Sequence, residues 1–449
     1  MTNNQQLAQR QLQDKIEHRE VTIGVIGLGY VGLPVACMLA QVGFKVVGVD
    51  VKADRVAMIN TSHNPIDGEE PGMVELLAQV IRTGRLRATT TYADLTQADV
   101  VLIDVETPVG DDHKPEYAAL TSACRSLAEV MKPGVLVIVE STIAPGTMDR
   151  LVCPLLENTS GKQVNRDFYL GMCPERVMPG KLLANLRGLS RVCGGSTSET
   201  AQVLVTLYKT IVEADLDMTD LVTAELVKTT ENAYRDVQIA FANEVALICE
   251  AAGGNVWRVR ELVNKSPFRQ MHLPGAGVGG HCIPKDPWLL AYGGDGRVPL
   301  RLIPVARAIN DSMPLHMAGL VKQTLTAIGR PISEACVAVL GYAYLENSGD
   351  TRNSPSQTLV TRLREWGAEV RIHDPWVIEY KGDALACLQG CDAAIIMVAH
   401  QAYKLLDLAA IRAALRTPIL IDGRRVFDIG QAQAAGLMYR GVGQGEKTV

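Results

Sequence analysis

Short apolar runs alternate with longer amphipathic stretches along the first half of the chain. The runs have the length and the β-branched content of buried strands, and they lie at 22–26, 45–50, 100–104, 135–140 and 168–172. Stretches of helical length separate them, which is typical of parallel βαβ units in a doubly wound sheet. The pattern predicts a Rossmann-like α/β domain over 21–212. A polar arm over 1–20 precedes it, and we expect this arm to be a frayed helix or disordered.

A long helix is predicted next in the chain. Good helix formers occupy 220–252, after Thr219 as a possible cap and before Gly253 and Gly254 as a stop. A helix of this length would span about 50 Å, which is more than one small domain needs. Its apolar positions also exceed one narrow face, so we predict a two-fold dimer or higher oligomer built on this helix. These positions are Val237, Ile239, Phe241, Val245 and Ile248.

A second α/β series follows a helical middle region. After a Gly/Pro-rich stretch at 274–287, apolar helical patterning resumes, which predicts a helical domain over 213–329. Strand and helix patterns then recur, and they predict a Rossmann-like domain over 330–449. The strands are expected at 335–340, 369–373, 393–398 and 418–422, with a helix at 357–366. The predicted fold is therefore two Rossmann-like α/β domains joined by a long central helix and a helical middle domain.

Composition narrows the class of protein. The chain has 449 residues, 47% hydrophobic content and a formal net charge of -5, which is typical of a globular protein and argues against nucleic acid as the main partner. No apolar run approaches the ~20 residues of a membrane span, and the polar start is not a signal peptide, so we expect a cytoplasmic protein without a membrane partner. The ten cysteines include no C-x-x-C pair, so no metal site is expected.

A dinucleotide fingerprint follows the first strand. Gly27, Gly29 and Gly32 form G-x-G-x-x-G where a strand leads into a helix, and Asp50 ends the next strand. In this motif the glycines allow the tight turn, the approach of the pyrophosphate and the packing of helix on strand. Asp50 would accept from a ribose 2′-hydroxyl and repel a 2′-phosphate, which favours NAD over NADP. Arg55 either lines the adenosine pocket or is a solvated charge.

A second glycine-rich loop carries a cysteine. Four glycines occur within 275–280, and Cys282 and Asp286 follow them. Glycines at this density bring backbone amides close to another group, and a structural loop does not need so many of them. A thiolate in such a loop beside an NAD domain suggests the covalent capture of an aldehyde. His281 is interpreted as a loop residue.

Several separate stretches, in order, resemble the UDP-glucose/GDP-mannose dehydrogenase family between Val21 and about Asp428. They are 27–34, 140–147, 173–177, 225–228 with Asn232, 279–286, 349–352 and 422–424. The resemblance implies a four-electron oxidation, in which a sugar C6 alcohol becomes a carboxylate with two NAD and one water. Cys282 would form a thiohemiacetal and then a thioester, which water releases as the uronate.

The resemblance also implies catalytic roles for individual residues. Lys228 and Asn232 lie four apart on the long helix and would stabilise the oxygen that becomes negative at C6. Asp286 would work with a water in hydrolysis, and Thr142 would position that water. Glu175 resembles the family's general acid/base.

Binding residues follow from the same resemblance. The cofactor would be contacted by Gly27, Gly29, Tyr30, Val31, Gly32, Asp50, Arg55, Thr107, Thr142 and Arg352. The UDP-sugar would be contacted by Glu175, Arg176, Lys228, Asn232, Gly279 and Arg424, with Arg269 reaching across a dimer to the partner's substrate.

The sugar is narrowed by the stretch 173–180. Pro179 stands where UDP-glucose and GDP-mannose enzymes carry a second glutamate, and this form resembles the branch that acts on UDP-N-acetylhexosamines. UDP-N-acetyl-D-mannosamine is favoured, and UDP-N-acetyl-D-glucosamine and UDP-glucose are the alternatives. Lys285 departs from some mannosamine-type members, so the C2 epimer stays open.

Two other classes of protein share some of these features. A two-electron hydroxy-acid dehydrogenase has paired α/β units but needs no Cys282, and a non-catalytic NAD-binding protein keeps only the fingerprint. Glu175, Lys228, Asn232, Cys282 and Asp286 together disfavour both.

Overall fold

The computed structural model describes residues 3–66, 68, 70–294 and 296–445, and these form two compact units. The first unit comprises Met1–Glu231 with Trp288–Val298, and the second comprises Asn232–Pro287 with Pro299–Val449. No helix in the described ranges is both long enough and apolar enough to cross a membrane. The cytoplasmic location and the three domain boundaries stay predictions.

The first unit is built on an eight-stranded sheet among its described residues. The strand order is β3-β2-β1-β4-β5-β6-β7-β8, and only the β6–β7 pairing is antiparallel. Its strands are β1 (Thr22–Ile26), β2 (Lys45–Val49), β3 (Leu86–Thr89), β4 (Val100–Ile103), β5 (Leu136–Val139), β6 (Tyr169–Met172), β7 (Arg191–Gly195) and β8 (Leu216–Asp220). Its helices are α1 (Asn3–Glu17), α2 (Gly32–Gln41), α3 (Ala53–Asn60), α4 (Met73–Arg82), α5 (Ala118–Val130), α6 (Cys153–Ser160), α7 (Leu182–Gly188) and α8 (Ser198–Tyr208).

Helices cover both faces of this sheet, so its central strands are buried on both sides. Val100 and Leu102 of β4 belong to one apolar cluster, and Val101 and Ile103 belong to the other. A near-continuous apolar run is what a parallel sheet covered on both faces requires. The carboxyl ends of β1 and β4 meet at one edge, where ligands bind in such sheets.

The polar arm at the amino terminus is ordered. Helix α1 packs against α8 through Leu12 and Ile16, and the Gln9 amide donates to Thr200 Oγ1 at 2.8 Å. Of the two alternatives expected for this arm, the helix is confirmed over 3–17 and disorder is wrong for that range. Two buried apolar residues one turn apart provide the anchor, which the high Gln content obscured.

Two helices cross the division between the units. They are α9 (Leu221–Ala252) and α11 (Asp286–Gly293). The long helix is confirmed, but its capping residue is the one that follows Thr219. Asp220 takes that role, since its Oδ1 accepts from Thr223 N at 2.9 Å.

The second unit contains a five-stranded parallel sheet in its described residues, with the order β10-β9-β11-β12-β13. Its strands are β9 (Cys336–Leu340), β10 (Glu369–His373), β11 (Ala393–Ile396), β12 (Ile419–Asp422) and β13 (Met438–Gly441). Its remaining helices are α10 (Val256–Val263), α12 (Leu302–Ala327), α13 (Pro355–Glu365), α14 (Ala384–Leu388), α15 (Gln401–Lys404), α16 (Leu408–Ala414) and α17 (Ile429–Ala434).

The predicted α/β fold class is confirmed, with one mostly parallel and one parallel Rossmann-like sheet and a helical region between them in the chain. The sequence patterns do not predict β3, β7, β8 and β13. Their hydrophobic signal is weak, because β3 and β8 include exposed residues and β7 and β13 contain arginine and glycine. The apolar helical patterning that resumes after the Gly/Pro-rich stretch includes one long helix, α12, which continues through Pro314.

Candidate active site

The three fingerprint glycines have different surroundings. A side chain on Gly27 would place Cβ 2.4 Å from the Asp104 carbonyl oxygen, and one on Gly32 would place it 2.0 Å from the Gly27 carbonyl oxygen. Gly27 also has a φ of +91°, which favours glycine. At Gly29, by contrast, the nearest atom of any described residue to such a Cβ is an Arg55 nitrogen at 3.9 Å. The open side of Gly29 fits the approach of a dinucleotide pyrophosphate.

Asp50 lies at the end of β2 and is buried. Its Oδ2 accepts from Leu28 N at 2.9 Å, and its Oδ1 accepts from Lys52 N at 2.9 Å. Arg55 lies 3.2 Å from Oδ2, so its guanidinium belongs to the fingerprint surroundings rather than to open solvent. A carboxylate oxygen has two lone pairs, which leaves acceptor capacity for a ribose hydroxyl. These residues fit NAD.

The remaining predicted cofactor residues of this unit lie on adjoining loops. Thr107 Oγ1 donates to the Thr142 carbonyl at 2.6 Å, which joins the loops after β4 and β5. Val31 precedes α2, and the Tyr30 hydroxyl donates to Glu70 Oε1 at 2.5 Å.

Glu225 on α9 holds the loop that follows Thr142. Its two carboxylate oxygens accept from Gly146 N at 2.5 Å and from Met148 N at 2.8 Å. Burial raises the pKa of Glu225 to about 7. One turn further along α9, the Lys228 ammonium donates to the Glu175 carbonyl at 2.6 Å and lies 3.9 Å from Glu175 Oε1. Glu175 and Lys228 are therefore brought together in the first unit, and both are buried.

Arg176 points elsewhere. Its guanidinium pairs with Glu231 on α9, and its NH1 donates to Ser190 Oγ at 2.8 Å. Protein groups thus hold Arg176 in this structure.

The second carboxylate oxygen of Glu175, Oε2, is buried and has no hydrogen-bond partner. A ligand or water group is the usual partner for such an atom at a binding site.

A buried polar network behind these loops was not predicted from the sequence. Glu140 Oε1 accepts from Arg191 NH1 and from the Tyr208 hydroxyl, both at 2.8 Å, and all three side chains are buried. Burial and the neighbouring Glu140 raise the pKa of Asp104 well above its usual range, which favours its protonated form. The signal in the sequence was a charged residue at the end of each of two apolar strands.

In the second unit, Cys282 begins a tight turn into α11. Lys285 N and Asp286 N both donate to the Cys282 carbonyl, at 3.1 and 2.8 Å. Asp286 is fully buried, its Oδ2 accepts from Asn232 Nδ2 at 2.5 Å, and the Lys285 ammonium lies 3.1 Å from its Oδ1. Cys282 itself is exposed. The structure therefore places Asn232, Lys285 and Asp286 together beside the turn that carries the thiol.

Cationic and neutral groups surround Cys282 within this unit. Burial and the charges of Lys285 and Arg352 lower the pKa of His281 to about 4, so its imidazole is neutral near pH 7. The Arg352 guanidinium pairs with Asp350, and its backbone carbonyl accepts from Gly280 N at 2.9 Å. Arg352 thus lies against the cysteine loop.

Arg424 reaches the same loop from the end of β12. Its NH2 donates to the Gly277 carbonyl at 3.0 Å, and its Nε donates to the Met397 carbonyl at 2.8 Å. Gly279 packs against the loop that follows β9, because a Cβ on Gly279 would lie 2.6 Å from Tyr344 Cβ. Arg269, by contrast, is exposed and donates only locally, to the Pro267 carbonyl at 3.1 Å.

Comparison with known proteins gives a consistent result. Models of the UDP-glucose/GDP-mannose dehydrogenase family match at residues 21–212 for its NAD binding domain, 222–312 for its central domain and 338–429 for its UDP binding domain. The UDP-N-acetyl-D-mannosamine dehydrogenase of Pyrococcus horikoshii is 41% identical over 425 residues, which cover 94% of this chain and 99% of that protein.

Solved structures agree with the sequence matches. A structure of the Pyrococcus horikoshii UDP-D-ManNAc dehydrogenase has a TM-score of 0.89 at 39% identity, covering 95% of this chain and 100% of that one. The NDP-N-acetyl-D-galactosaminuronic acid dehydrogenase of Methanosarcina mazei Go1 has a TM-score of 0.86 at 34% identity, covering 96% and 98%. The chain therefore belongs to the UDP-glucose/GDP-mannose dehydrogenase family, and it is an NAD-dependent nucleotide-sugar dehydrogenase.

Proposed function

We propose that this enzyme oxidises the C6 hydroxyl of UDP-N-acetyl-D-mannosamine to a carboxylate, using two NAD and one water for each sugar. The observation that carries the sugar is the full-length likeness to proteins named UDP-N-acetyl-D-mannosamine dehydrogenase, at 41% identity for the Pyrococcus horikoshii protein. Pro179, in place of a second glutamate, supports an N-acetylhexosamine over glucose.

The first oxidation converts the C6 alcohol to an aldehyde. NAD supplies the hydride acceptor, and the hydroxyl proton must leave to a base. Glu175 suits that role, because one of its oxygens is buried without a hydrogen-bond partner and an ammonium lies beside the other. Lys228 carries the positive charge that stabilises negative charge developing on the substrate oxygen.

The second oxidation passes through Cys282. Its sulfur adds to the aldehyde carbon, and a proton goes to the aldehyde oxygen, which gives a thiohemiacetal. Loss of that proton and of a second hydride gives a thioester on Cys282. Because His281 is neutral near pH 7, we assign the positive charge that favours a thiolate in this unit to Lys285 and Arg352, whose charges both act on His281 beside the thiol.

Hydrolysis completes the cycle. Water adds to the thioester carbon, the carbon–sulfur bond breaks, and the uronate leaves with Cys282 restored as the thiol. Asp286 suits the role of handling the water proton, since it lies one turn after Cys282 and Asn232 and Lys285 hold its carboxylate. Thr142 is proposed to position the water, by resemblance alone.

We also propose a homodimer built on α9. Tyr234, Phe241 and Ile248 lie seven residues apart on this helix and are 63%, 58% and 60% exposed. A heptad stripe of exposed apolar residues is the pattern that a partner helix covers. Light scattering at micromolar concentration tests this, and a monomeric mass would contradict it. Arg269 is proposed to reach the partner's substrate.

A substrate panel tests the sugar. Purified enzyme is assayed with the UDP derivatives of N-acetylmannosamine, N-acetylglucosamine, N-acetylgalactosamine and glucose, and NADH is counted per sugar consumed. We expect the highest kcat/KM with UDP-N-acetylmannosamine and two NADH per sugar. One NADH per sugar would contradict the thioester route, and a higher kcat/KM with another sugar would replace the proposed substrate.

A further inference from the structure

Glu70 connects two parts of the first unit that are far apart in sequence. It lies between α3 and α4, and its side chain is buried. Its Oε1 accepts from the Tyr30 hydroxyl of the fingerprint at 2.5 Å. The resemblance to the family and the motifs described above assign this carboxylate no role.

The same carboxylate also binds two backbone amides more than a hundred residues later. Oε1 accepts from Gly180 N at 2.8 Å, and Oε2 accepts from Leu182 N at 3.1 Å. Gly180 has a φ of +78°, so a tight turn ends at the point where Glu70 holds the chain. Both oxygens of the carboxylate are thus used, and each bond is charge-assisted.

The segment that Glu70 holds is the one that carries the proposed substrate contacts. Glu175 and Arg176 begin it, and Pro179 precedes the turn. Lys228 and Glu231 fix its first half through the Glu175 carbonyl and the Arg176 guanidinium. Met178 N donates to Asn185 Oδ1 at 3.0 Å, so the second half is held by α7 and by Glu70.

We infer that Glu70 is a positioning residue. Through the Tyr30 hydroxyl, it holds the 174–182 segment at a fixed position relative to the fingerprint. A single carboxylate then fixes the distance between the loop that receives the cofactor and the segment that carries Glu175. The kinetic part of this inference rests on the proposed function, and the structural part does not. Misplacing a substrate-positioning segment by about 1 Å can cost roughly 100-fold in rate.

Two variants of Glu70 and one matched control test the inference. Glu70→Ala removes all three bonds, and Glu70→Gln keeps the shape and one oxygen acceptor. Glu75→Ala is the control, because Glu75 is an exposed carboxylate on the following helix. Hydrogen exchange is measured on the amides of 178–182, together with kcat and KM for the UDP-sugar.

In Glu70→Ala we expect faster exchange at Gly180 and Leu182 and a kcat/KM that is lower by about 10–100-fold. Glu70→Gln should give intermediate values, and Glu75→Ala should match the wild type in both. Exchange and kcat/KM equal to those of Glu75→Ala would overturn the inference.

Tyr30→Phe tests the connection to the fingerprint. Alone it should speed exchange at Gly180, and in the Glu70→Ala background its effect on that exchange should be smaller, because the bond between Tyr30 and Glu70 is already lost. Additive effects of the two substitutions on exchange at Gly180 would overturn the positioning role of Glu70. If the wild type oxidises no UDP-sugar, the exchange measurements still report on Glu70, so failure of the proposed function stays distinguishable.

Discussion

The two glycine-rich loops have similar compositions for different physical reasons. In the fingerprint, Gly27 and Gly32 are required by close backbone packing, and Gly29 faces open space. In the cysteine loop, Gly279 and Gly280 both face Tyr344, where a Cβ would lie 2.6 and 2.7 Å from its atoms. The first loop leaves room for a ligand, whereas the glycines of the second make room for other parts of its own unit.

The high density of glycines in 275–280 has a structural explanation, so the expectation that a structural loop does not need so many is wrong. Protein atoms explain all four of these glycines, because a Cβ on any of them would lie within 3 Å of a side chain; they are Gly275 against Arg424, Gly277 against Pro355, and Gly279 and Gly280 against Tyr344. The argument for Cys282 therefore rests on its own exposure and on Asp286, Asn232 and Lys285 beside it.

The largest expected effect comes from removing the thiol. Cys282→Ser and Cys282→Ala should lower uronate formation by several orders of magnitude, because a serine hydroxyl is rarely ionised near neutral pH. NAD binding should persist, since the fingerprint belongs to the first unit. Product formation and NAD affinity by calorimetry are the measurements. Cys336→Ser, in a buried strand, is the control and should affect stability more than chemistry. Wild-type uronate production by Cys282→Ala would exclude the covalent route.

Asp50, at the end of β2, leads to a prediction about the choice between NAD and NADP. Because Asp50 would accept from a ribose hydroxyl, kcat/KM should be higher with NAD than with NADP by roughly 10–150-fold, which is the value of one charged hydrogen bond of about 1.5–3 kcal/mol. Arg55 lies 3.2 Å from Asp50 and would pair with a 2′-phosphate if the carboxylate were removed. Asp50→Ser should therefore lower the ratio of kcat/KM with NAD to kcat/KM with NADP. Equal kcat/KM values in the wild type would contradict the role of Asp50.

Matched alanine substitutions test the two loops directly. Gly279→Ala forces a Cβ against Tyr344 and the Asn353 carbonyl, and overpacking of this kind costs about 1–3 kcal/mol, so thermal unfolding should begin at a lower temperature. Among the residues that the structure describes, Gly29→Ala meets no atom nearer than Arg55 at 3.9 Å, so it should leave the unfolding temperature nearly unchanged while weakening NAD binding. The comparison fails if Gly29→Ala is the less stable of the two.

The sequence was sufficient for features that depend on neighbours in the chain. The long helix and the alternation of strands and helices are local patterns, and the structure confirms them. The network of Glu140, Arg191 and Asp104, and the bonds of Glu70, join residues 36 to 112 positions apart, so no spacing rule could find them. The catalytic and binding assignments themselves came from resemblance and stay predictions.

The smallest expected effect is a pH dependence of stability that comes from the cysteine loop. His281 lies in the cysteine loop, and its pKa is lowered to about 4 from the ordinary 6.5, chiefly because burial disfavours the charged imidazole. Between these two pH values the unfolded chain binds more protons than the folded one, so stability falls as pH falls. At pH 5.5 the loss from this group is about 1.4 kcal/mol relative to pH 8, or roughly 2–4 °C in unfolding temperature. His281→Gln should lack this component, so the wild-type unfolding temperature should drop more than the variant's between pH 8 and pH 5.5. Parallel unfolding curves for the two proteins over this range would mean that the imidazole is not held in its neutral form by the loop.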